Sequence, residues 1–535
     1  MPRLPWDSAL NNESHSATAF SPEPEIRAAV PAAASHSSFS TAHLRFGLAR
    51  RSARGAASTL AGRACKFALQ LAGTVFLARL LTPSDFGLVG MAGALTGFMT
   101  MFSDFGLSTA TIQETDIDQD QMSTLFWLNS ALGLGIAIIT GLLAPVVAWF
   151  YHDPRLFQIT MPIAFGIFIT GLGIQHQALL KRQMRFGALA AIDVGSGCLA
   201  VLVAIAAAWA HCGYWSLVVM QLTMAAGTTA GSWTCSNWHP DLPRRGTAIR
   251  KMVVFGRNIT TSNFLNYIVR NLDNVLIGRY SGAMQLGFYS RAYQLMLLPI
   301  SQLVGPAGAI AIPALSRLQS DIQRYRTYYL EAVKIIAYLT MPMIVTMAVF
   351  SRDIVYVTLG PKWNPTAELF RILALAALFQ PVLSSVGWVY TSLGLSRTMM
   401  IWGLISSPVM VVAFIAGMHW GPRGVAWGYA IGEWALAYPY LRLAAGTTPI
   451  QVRDYFAVVH RPLALSAILA TSESLFRMQF SSFGPSGVLA GGLLVSIFAV
   501  TISAIVWPGL RNDLRSMTRS FELIWRRQMP SGQGE

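Results

Sequence analysis

The sequence predicts an all-α polytopic membrane protein of about 14 transmembrane helices. They form two six-helix lobes related by a pseudo-two-fold axis along the membrane normal, plus two C-terminal helices. Three observations predict this. The first is composition: of 535 residues, 53% are hydrophobic and only 12% charged, and the mean hydropathy is +0.48. A soluble globular protein carries about 25% charged residues. The second is that apolar segments of roughly 20 residues recur along the chain, the length a helix needs to cross a bilayer. The third is an internal repeat. Arg63, Lys66, Gln70 and Thr74 are spaced i, i+3, i+7, i+11, so they share one helical face. Asn263, Asn266, Arg270 and Asn274 have the same spacing 200 residues later, and Val75/Val275, Arg79/Arg279 and Gly87/Gly287 stay in that register.

Taken in order, residues 1–55 are rich in Ser, Ala and Pro, lack any apolar run, and read as a disordered cytoplasmic tail. No signal-peptide core precedes the first span. The first lobe, 56–250, holds spans near 58–79, 86–110, 124–149, 156–178, 188–209 and 214–235. The second lobe, 251–445, holds spans near 252–278, 287–312, 329–350, 367–392, 398–417 and 423–443. Spans near 456–474 and 486–507 fill 446–508 and lie outside the repeat. A unit of six spans is even, so both lobes enter the membrane from the same side and an axis along the normal relates them. Gly213-Tyr-Trp-Ser-Leu217 and Gly421-Pro-Arg-Gly-Val425, opening the sixth and twelfth spans, extend the match. Residues 509–535 place Leu510, Leu514, Met517, Phe521 and Ile524 on one face and Arg511, Arg515 and Arg519 on another. That pattern reads as an amphipathic helix on the cytoplasmic leaflet.

Loop charge sets the orientation. Loops after even spans carry Lys181, Arg182 and Arg185, then Arg244, Arg245, Arg250 and Lys251, then Arg317, Arg324 and Arg326. Both termini are therefore expected in the cytoplasm. One loop dissents, carrying Glu114, Asp116, Asp118 and Asp120, but acidic residues weigh little in this rule. The formal net charge of +15 follows from these loops and tails. No basic, aromatic soluble domain is present to bind nucleic acid. Cys65, Cys198, Cys212 and Cys235 have no CxxC spacing and read as small apolar fillers, with no metal implied. The histidines show no HExxH spacing and there is no phosphate-binding loop, so the sequence reads as a non-enzyme without a cofactor.

Charge inside a span costs at least about 2.5–3.5 kcal/mol, so each such residue needs a wet cavity or a partner. Arg63, Lys66, Arg270 and Arg291 are the candidates for an anion site, because a guanidinium stays charged and forks onto phosphate oxygens. Gln70, Asn263, Asn266 and Asn274 would supply the polar wall around it. The competing reading is internal pairing, as for Arg270 with Asp273, Glu331 with Lys334 and Glu368 with Arg371, all at i, i+3. Asp273 and Asp104 are the candidates for proton or ion coupling, since a carboxylate in a low-dielectric site titrates nearer neutrality. Asp104-Phe-Gly106 also looks like a break at a span end.

Leu80-Leu-Thr-Pro-Ser-Asp-Phe-Gly87, Asn274-Val-Leu-Ile-Gly-Arg-Tyr-Ser-Gly282, Leu286-Gly-Phe-Tyr-Ser-Arg-Ala-Tyr-Gln-Leu295, Ile312-Pro-Ala-Leu-Ser-Arg-Leu-Gln319 and Leu359-Gly-Pro-Lys-Trp363 follow one another along the chain. In this order they resemble the Wzx-type polysaccharide flippases of the WzxC-like branch, within the multidrug/oligosaccharidyl-lipid/polysaccharide exporter superfamily. The resemblance covers about residues 55–450. It implies a central cationic cavity, alternating access, and translocation of undecaprenyl-diphosphate-linked oligosaccharide across the bacterial inner membrane. That activity would serve exopolysaccharide, O-antigen or capsule assembly, with a polysaccharide polymerase and export machinery as further partners. The polar tail departs from the compact start usual in this family. Two alternatives remain at this point. A drug or cation antiporter of the same superfamily sits poorly with a cationic cavity. A membrane polymerase or ligase of the same pathway would need long outward loops, and none here exceeds roughly 20 residues.

Overall fold

The computed structural model describes residues 48–114, 117–243 and 250–517, with side chains for 61–114, 117–243 and 271–517. Among the described residues every regular element is a helix. The first lobe contains α1 (Leu48–Leu80), α2 (Pro83–Thr100), α3 (Leu107–Gln113), α4 (Gln119–Tyr151), α5 (Arg155–Arg182), α6 (Phe186–Trp209) and α7 (Trp215–Ser236). The second contains α8 (Arg250–Arg317), α9 (Ile322–Val349), α10 (Ser351–Thr358), α11 (Asn364–Ala377), α12 (Gln380–Ser392), α13 (Ser396–Met418) and α14 (Gly421–Thr447). α15 (Val452–Gln479) packs along α9, and α16 (Gly484–Val506) packs against α15 and α10.

Gly282, at φ +82°, folds α8 into two arms. Only a glycine takes that backbone without strain. α11 and α12 form one column bent by 43°. With α3, α10 and the helix over 508–517 set aside as short, the helices among the described residues make fourteen columns, one for each expected span. Among the described residues seven are long and apolar enough to cross a membrane, or eight with the bent column counted.

The turns account for several sequence features. Thr82 and Asp85 cap each other at the start of α2, with Pro83 at the first helical position. Asp118 and Gln121 do the same at the start of α4, so one acid of the dissenting loop is a helix cap. Within lobes, small residues let helices touch: Gly62 and Gly73 of α1 lie against Ala190 and Val201 of α6, and Gly417 meets Gly424 where α13 crosses α14.

Contacts between helix ends fix the parity of the columns. Arg326 at the start of α9 pairs with Asp454 at the start of α15 at 2.8 Å. Arg477 at the end of α15 pairs with Asp353 just past α9 at 2.7 Å. One face therefore carries the starts of α9 and α15 and the basic segments around Lys181, Arg185, Arg317 and Arg324. The opposite face carries the ends of α1, α4, α9 and α15 and the Gly282 bend.

Three expectations need correction. Lys334 pairs with Asp513 at 3.6 Å, not with Glu331. Glu368 pairs with Arg423 at 2.7 Å, not with Arg371. In both cases a neighbouring helix offers a carboxylate or guanidinium in better line than the residue one turn away. The third concerns the tail. Its described part, a helix over 508–517, turns its apolar stripe onto the protein rather than onto lipid. Leu510 and Met517 are buried against Tyr338, Leu465, Leu469 and Ala499. Asp513 anchors the helix, accepting from Tyr338 Oη at 2.9 Å and Arg461 at 2.8 Å. Burial pushes that carboxyl up, but Arg461, Tyr338 and Lys334 outweigh burial and hold it below the usual carboxylate range. Residues 518–535 lie outside the described part.

Candidate functional site

The two lobes meet along α2 and α8. The closest point follows from two glycines. A Cβ on Gly87 would collide with the carbonyl oxygen of Ala283, and a Cβ on Gly287 would collide with the carbonyl oxygen of Pro83. Positions 83 and 283, like 87 and 287, are related by the 200-residue repeat. The contact is therefore reciprocal, as a two-fold axis requires.

A second contact closes the same face. The carbonyls at the end of α1 have no helical partner of their own, and the loop before α11 takes them up. Trp363, fully buried, donates its indole N–H to Ala78 O at 2.9 Å. Lys362 Nζ donates to Arg79 O at 2.8 Å and to Leu81 O. Arg79 returns hydrogen bonds to the carbonyls of Val357 and Thr358. We refer to this side of the protein as the gate face.

Behind this closure lie two cavities that share one wall. The first, about 560 Å³, lies between α2, α7 and both arms of α8. Its polar lining is Gln221, Asn271, Asn274, Ser290, Arg291 and Gln294. The second, about 220 Å³, lies between α1 and the second arm of α8. Its polar lining is Gln70, Thr74, Arg291, Gln294, Ser301 and Gln302. Arg291 and Gln294 face both.

Arg291 is the cation at this junction. Its guanidinium carbon sits 4.1 Å from the centre of the Phe86 ring, across the lobe boundary. That geometry is a cation–π contact. One terminal nitrogen donates to Gln294 Oε1, one turn along. Its Nε is buried without a hydrogen-bond partner. Among the described residues no carboxylate pairs with it. Asn274 Oδ1 is likewise buried and unpartnered. An unmet donor and an unmet acceptor thus belong to two residues that line the same cavity.

The other residues singled out in the sequence fall as follows. Gln70 and Asn274 line these cavities. Lys66 Nζ lies 3.1 Å from Asp193 of α6, with both side chains about half exposed. Arg63 is exposed on the same helix. The side chains of Asn263, Asn266 and Arg270 lie outside the described residues, and with them the Arg270–Asp273 pairing. Asp273 is 2% exposed and accepts from Tyr289 Oη at 2.9 Å and from the Asn274 N–H at 2.8 Å. Asp104 is occupied by α3, accepting from the Ser108 N–H at 2.9 Å and from its hydroxyl. Sequence reasoning missed Gln221 and Gln294. Gln294 was accessible, three residues past Arg291 and so on its helical face, and Gln221 is an amide inside an apolar run.

Comparison with known proteins gives three further findings. Residues 76–368 match the sequence profile described as polysaccharide biosynthesis protein. The chain is 25% identical over 478 residues to the teichuronic acid biosynthesis protein TuaB of Bacillus subtilis (strain 168), covering 85% of this chain and 97% of that one. It is also similar to the lipopolysaccharide biosynthesis protein WzxC of Escherichia coli (strain K12), at 23% over 317 residues, 58% of this chain and 64% of that one. Among solved structures, the fold resembles the lipid II flippase MurJ in an inward closed conformation. The TM-score is 0.67 at 14% identity, over 85% of this chain and 99% of that chain.

Proposed function

The chain belongs to the polysaccharide biosynthesis protein family, and from that premise we propose that it is a flippase for undecaprenyl-diphosphate-linked oligosaccharides. It is a Wzx-type member of the multidrug/oligosaccharidyl-lipid/polysaccharide exporter superfamily. It serves exopolysaccharide, O-antigen or capsule assembly in the bacterial inner membrane, as a transporter rather than an enzyme.

One observation carries the reading: Arg291 is a partly buried guanidinium, without a carboxylate partner among the described residues, where two inter-lobe cavities join. A charge so placed costs several kcal/mol unless an anion meets it. A lipid diphosphate meets it with oxygens that fit the guanidinium fork. The amides of Gln70, Asn274 and Gln294 then offer donors and acceptors to the first sugars. The narrower cavity against α1 gives the prenyl chain a way out between α1 and α8 into lipid. Arg63 and Lys66, the latter beside Asp193, lie further along α1 toward the basic face, and Arg270 is assigned to the same cationic path from its place in the repeat. Asp273, buried beside the cavity with only neutral hydrogen-bond partners among the described residues, is the group we assign to coupling.

In this reading both termini and the basic face are cytoplasmic, and the gate face is periplasmic. The domain limits are those of the repeat, 56–250 and 251–445, with 446–508 as the added pair. A cysteine placed at Arg245 is expected to react only with reagents admitted to the cytoplasm. Reaction in intact cells with an impermeant reagent reverses the orientation. The function is tested in a deletion strain, where lipid-linked oligosaccharide should accumulate on the cytoplasmic leaflet. Normal surface polysaccharide without such accumulation contradicts it.

A further inference from the structure

A further cavity shares no lining residue with the inter-lobe cavities. Of about 510 Å³, it sits on the gate face, where the ends of α9 and α15 meet α10, α11 and the start of α16. Three arginines line it: Arg352, Arg371 and Arg477. One acid lines it, Asp353, and that carboxylate is held by Arg477 at 2.7 Å. The other nearby acids do not line it. Glu368 pairs with Arg423 at 2.7 Å. Glu473, fully buried, accepts from the Thr346 and Ser496 hydroxyls at 2.6 and 2.7 Å through one oxygen, and its other oxygen is buried without a hydrogen-bond partner. Arg352 and Arg371 are left without a carboxylate partner among the described residues.

Two further features point to the ligand. α16 begins at this cavity, with Gly484, Pro485 and Val488 in its wall and no side chain capping its first turn. Its free N–H groups and the positive end of its dipole add to the arginines. The rim is apolar and exposed. Met478, in the wall, is 79% exposed, and the nearby Leu475 and Phe483 are also exposed. α16 continues this surface with exposed Leu493, Leu494, Ile497 and Phe498. In a membrane protein such a surface faces acyl chains, not water. A soluble anion would meet the charge but waste the rim.

The geometry points to a site for the phosphate of a lipid, with the headgroup held by Arg352 and Arg371 and the chains lying on α15 and α16. The phosphate has two sources with shared chemistry: a resident anionic phospholipid of that leaflet, or the diphosphate of a polyprenyl lipid. The inference stands on this cavity's own lining and does not need the inter-lobe site.

The test is native mass spectrometry of the purified full chain in detergent micelles, in an Arg291→Gln background that removes the central cation. The probes are phosphatidylglycerol, undecaprenyl diphosphate and, as the zwitterionic control, phosphatidylcholine. The Arg291→Gln protein should retain at least one of the two anionic lipids in preference to phosphatidylcholine. Adding Arg352→Gln and Arg371→Gln should weaken that retention by about tenfold to a hundredfold, the scale of losing hydrogen bonds from charged groups. Adding Arg352→Lys and Arg371→Lys instead should keep part of it, and shows that the charge rather than the fold is read. If undecaprenyl diphosphate displaces phosphatidylglycerol, the site takes the polyprenyl lipid; if it does not, the site holds a resident phospholipid. Either result supports the site. Equal retention of all three lipids, or retention untouched by the Gln pair, overturns it.

Discussion

Replacing Arg291 by Ala is expected to lower flipping of lipid-linked oligosaccharide by about tenfold to a hundredfold while the protein stays in the membrane. The range is that of removing one charged hydrogen-bond donor from an anion, about 1.5–3 kcal/mol. Arg291 makes no ion pair among the described residues, so its removal leaves no orphaned carboxylate there. What it loses internally is the contact with Phe86 and a bond to Gln294. Folding should therefore be spared, and a change in transport reports on substrate. Arg291→Lys should recover only part, since an ammonium keeps the charge but not the fork. Gln294→Leu should weaken transport less, because the amide aims the guanidinium rather than carrying charge. Wild-type flipping by Arg291→Ala at normal expression removes this residue from the site.

Gly87→Val and Gly287→Val are expected to stop transport by a different route. Each added side chain meets a backbone carbonyl, at Ala283 or Pro83, and a backbone oxygen cannot rotate aside. The helices must part or the gate face stays ajar. Overpacking of this kind costs about 1–3 kcal/mol. Charged only to the closed state, that shifts a two-state equilibrium roughly 5- to 150-fold. Because the contact is reciprocal, both variants should behave alike. Spin labels across the gate face should report a longer distance in both. Gly282→Val tests backbone freedom instead of approach, because no neighbour stands near its Cβ and only the φ of +82° resists. Normal turnover in both Gly87→Val and Gly287→Val would show that α2 and α8 do not form the moving contact.

Much of the fold was legible because the bilayer imposes it. Length and hydropathy mark the columns, and the parity of basic loops orders their ends. The repeat was legible at Gly87 and Gly287 because a close backbone approach admits no other residue there. The site was less legible, and Lys66 shows why. Helical spacing places it on the stripe with Gln70 and Thr74, and those two do line a cavity. Spacing says nothing of Asp193, which is 127 residues away in sequence and 3.1 Å away in space. A lysine on a long flexible stem takes the nearest carboxylate. Glu368 was misread for the same reason, since Arg423 of α14 reaches it. Arg291 escaped such capture because the residues across from it in the first lobe, Phe86, Val89 and Gly90, carry no acid.

The gate-face arginines were invisible for a further reason. Arg352, Arg371 and Arg477 come from three separate helices and show no periodicity together. Only the packing of α15 and α16 against α9 and α10 gathers them. Conversely, the Lys362-Trp363 pair stood out in the sequence as a family-like motif. Its physical role, capping the open carbonyls of α1 from the other lobe, needed the structure.

In the proposed function a lipid diphosphate carrying sugars crosses through the inter-lobe cavities. Purified protein in liposomes loaded with undecaprenyl-diphosphate-linked oligosaccharide tests it most directly, with sugar reached from outside by an impermeant glycosidase. Wild-type protein should expose lipid-linked sugar from the inner leaflet far faster than empty liposomes, and Arg291→Ala should fall back toward the empty rate. Sugar that stays on its own leaflet with wild-type protein under every imposed proton or sodium gradient would contradict the account.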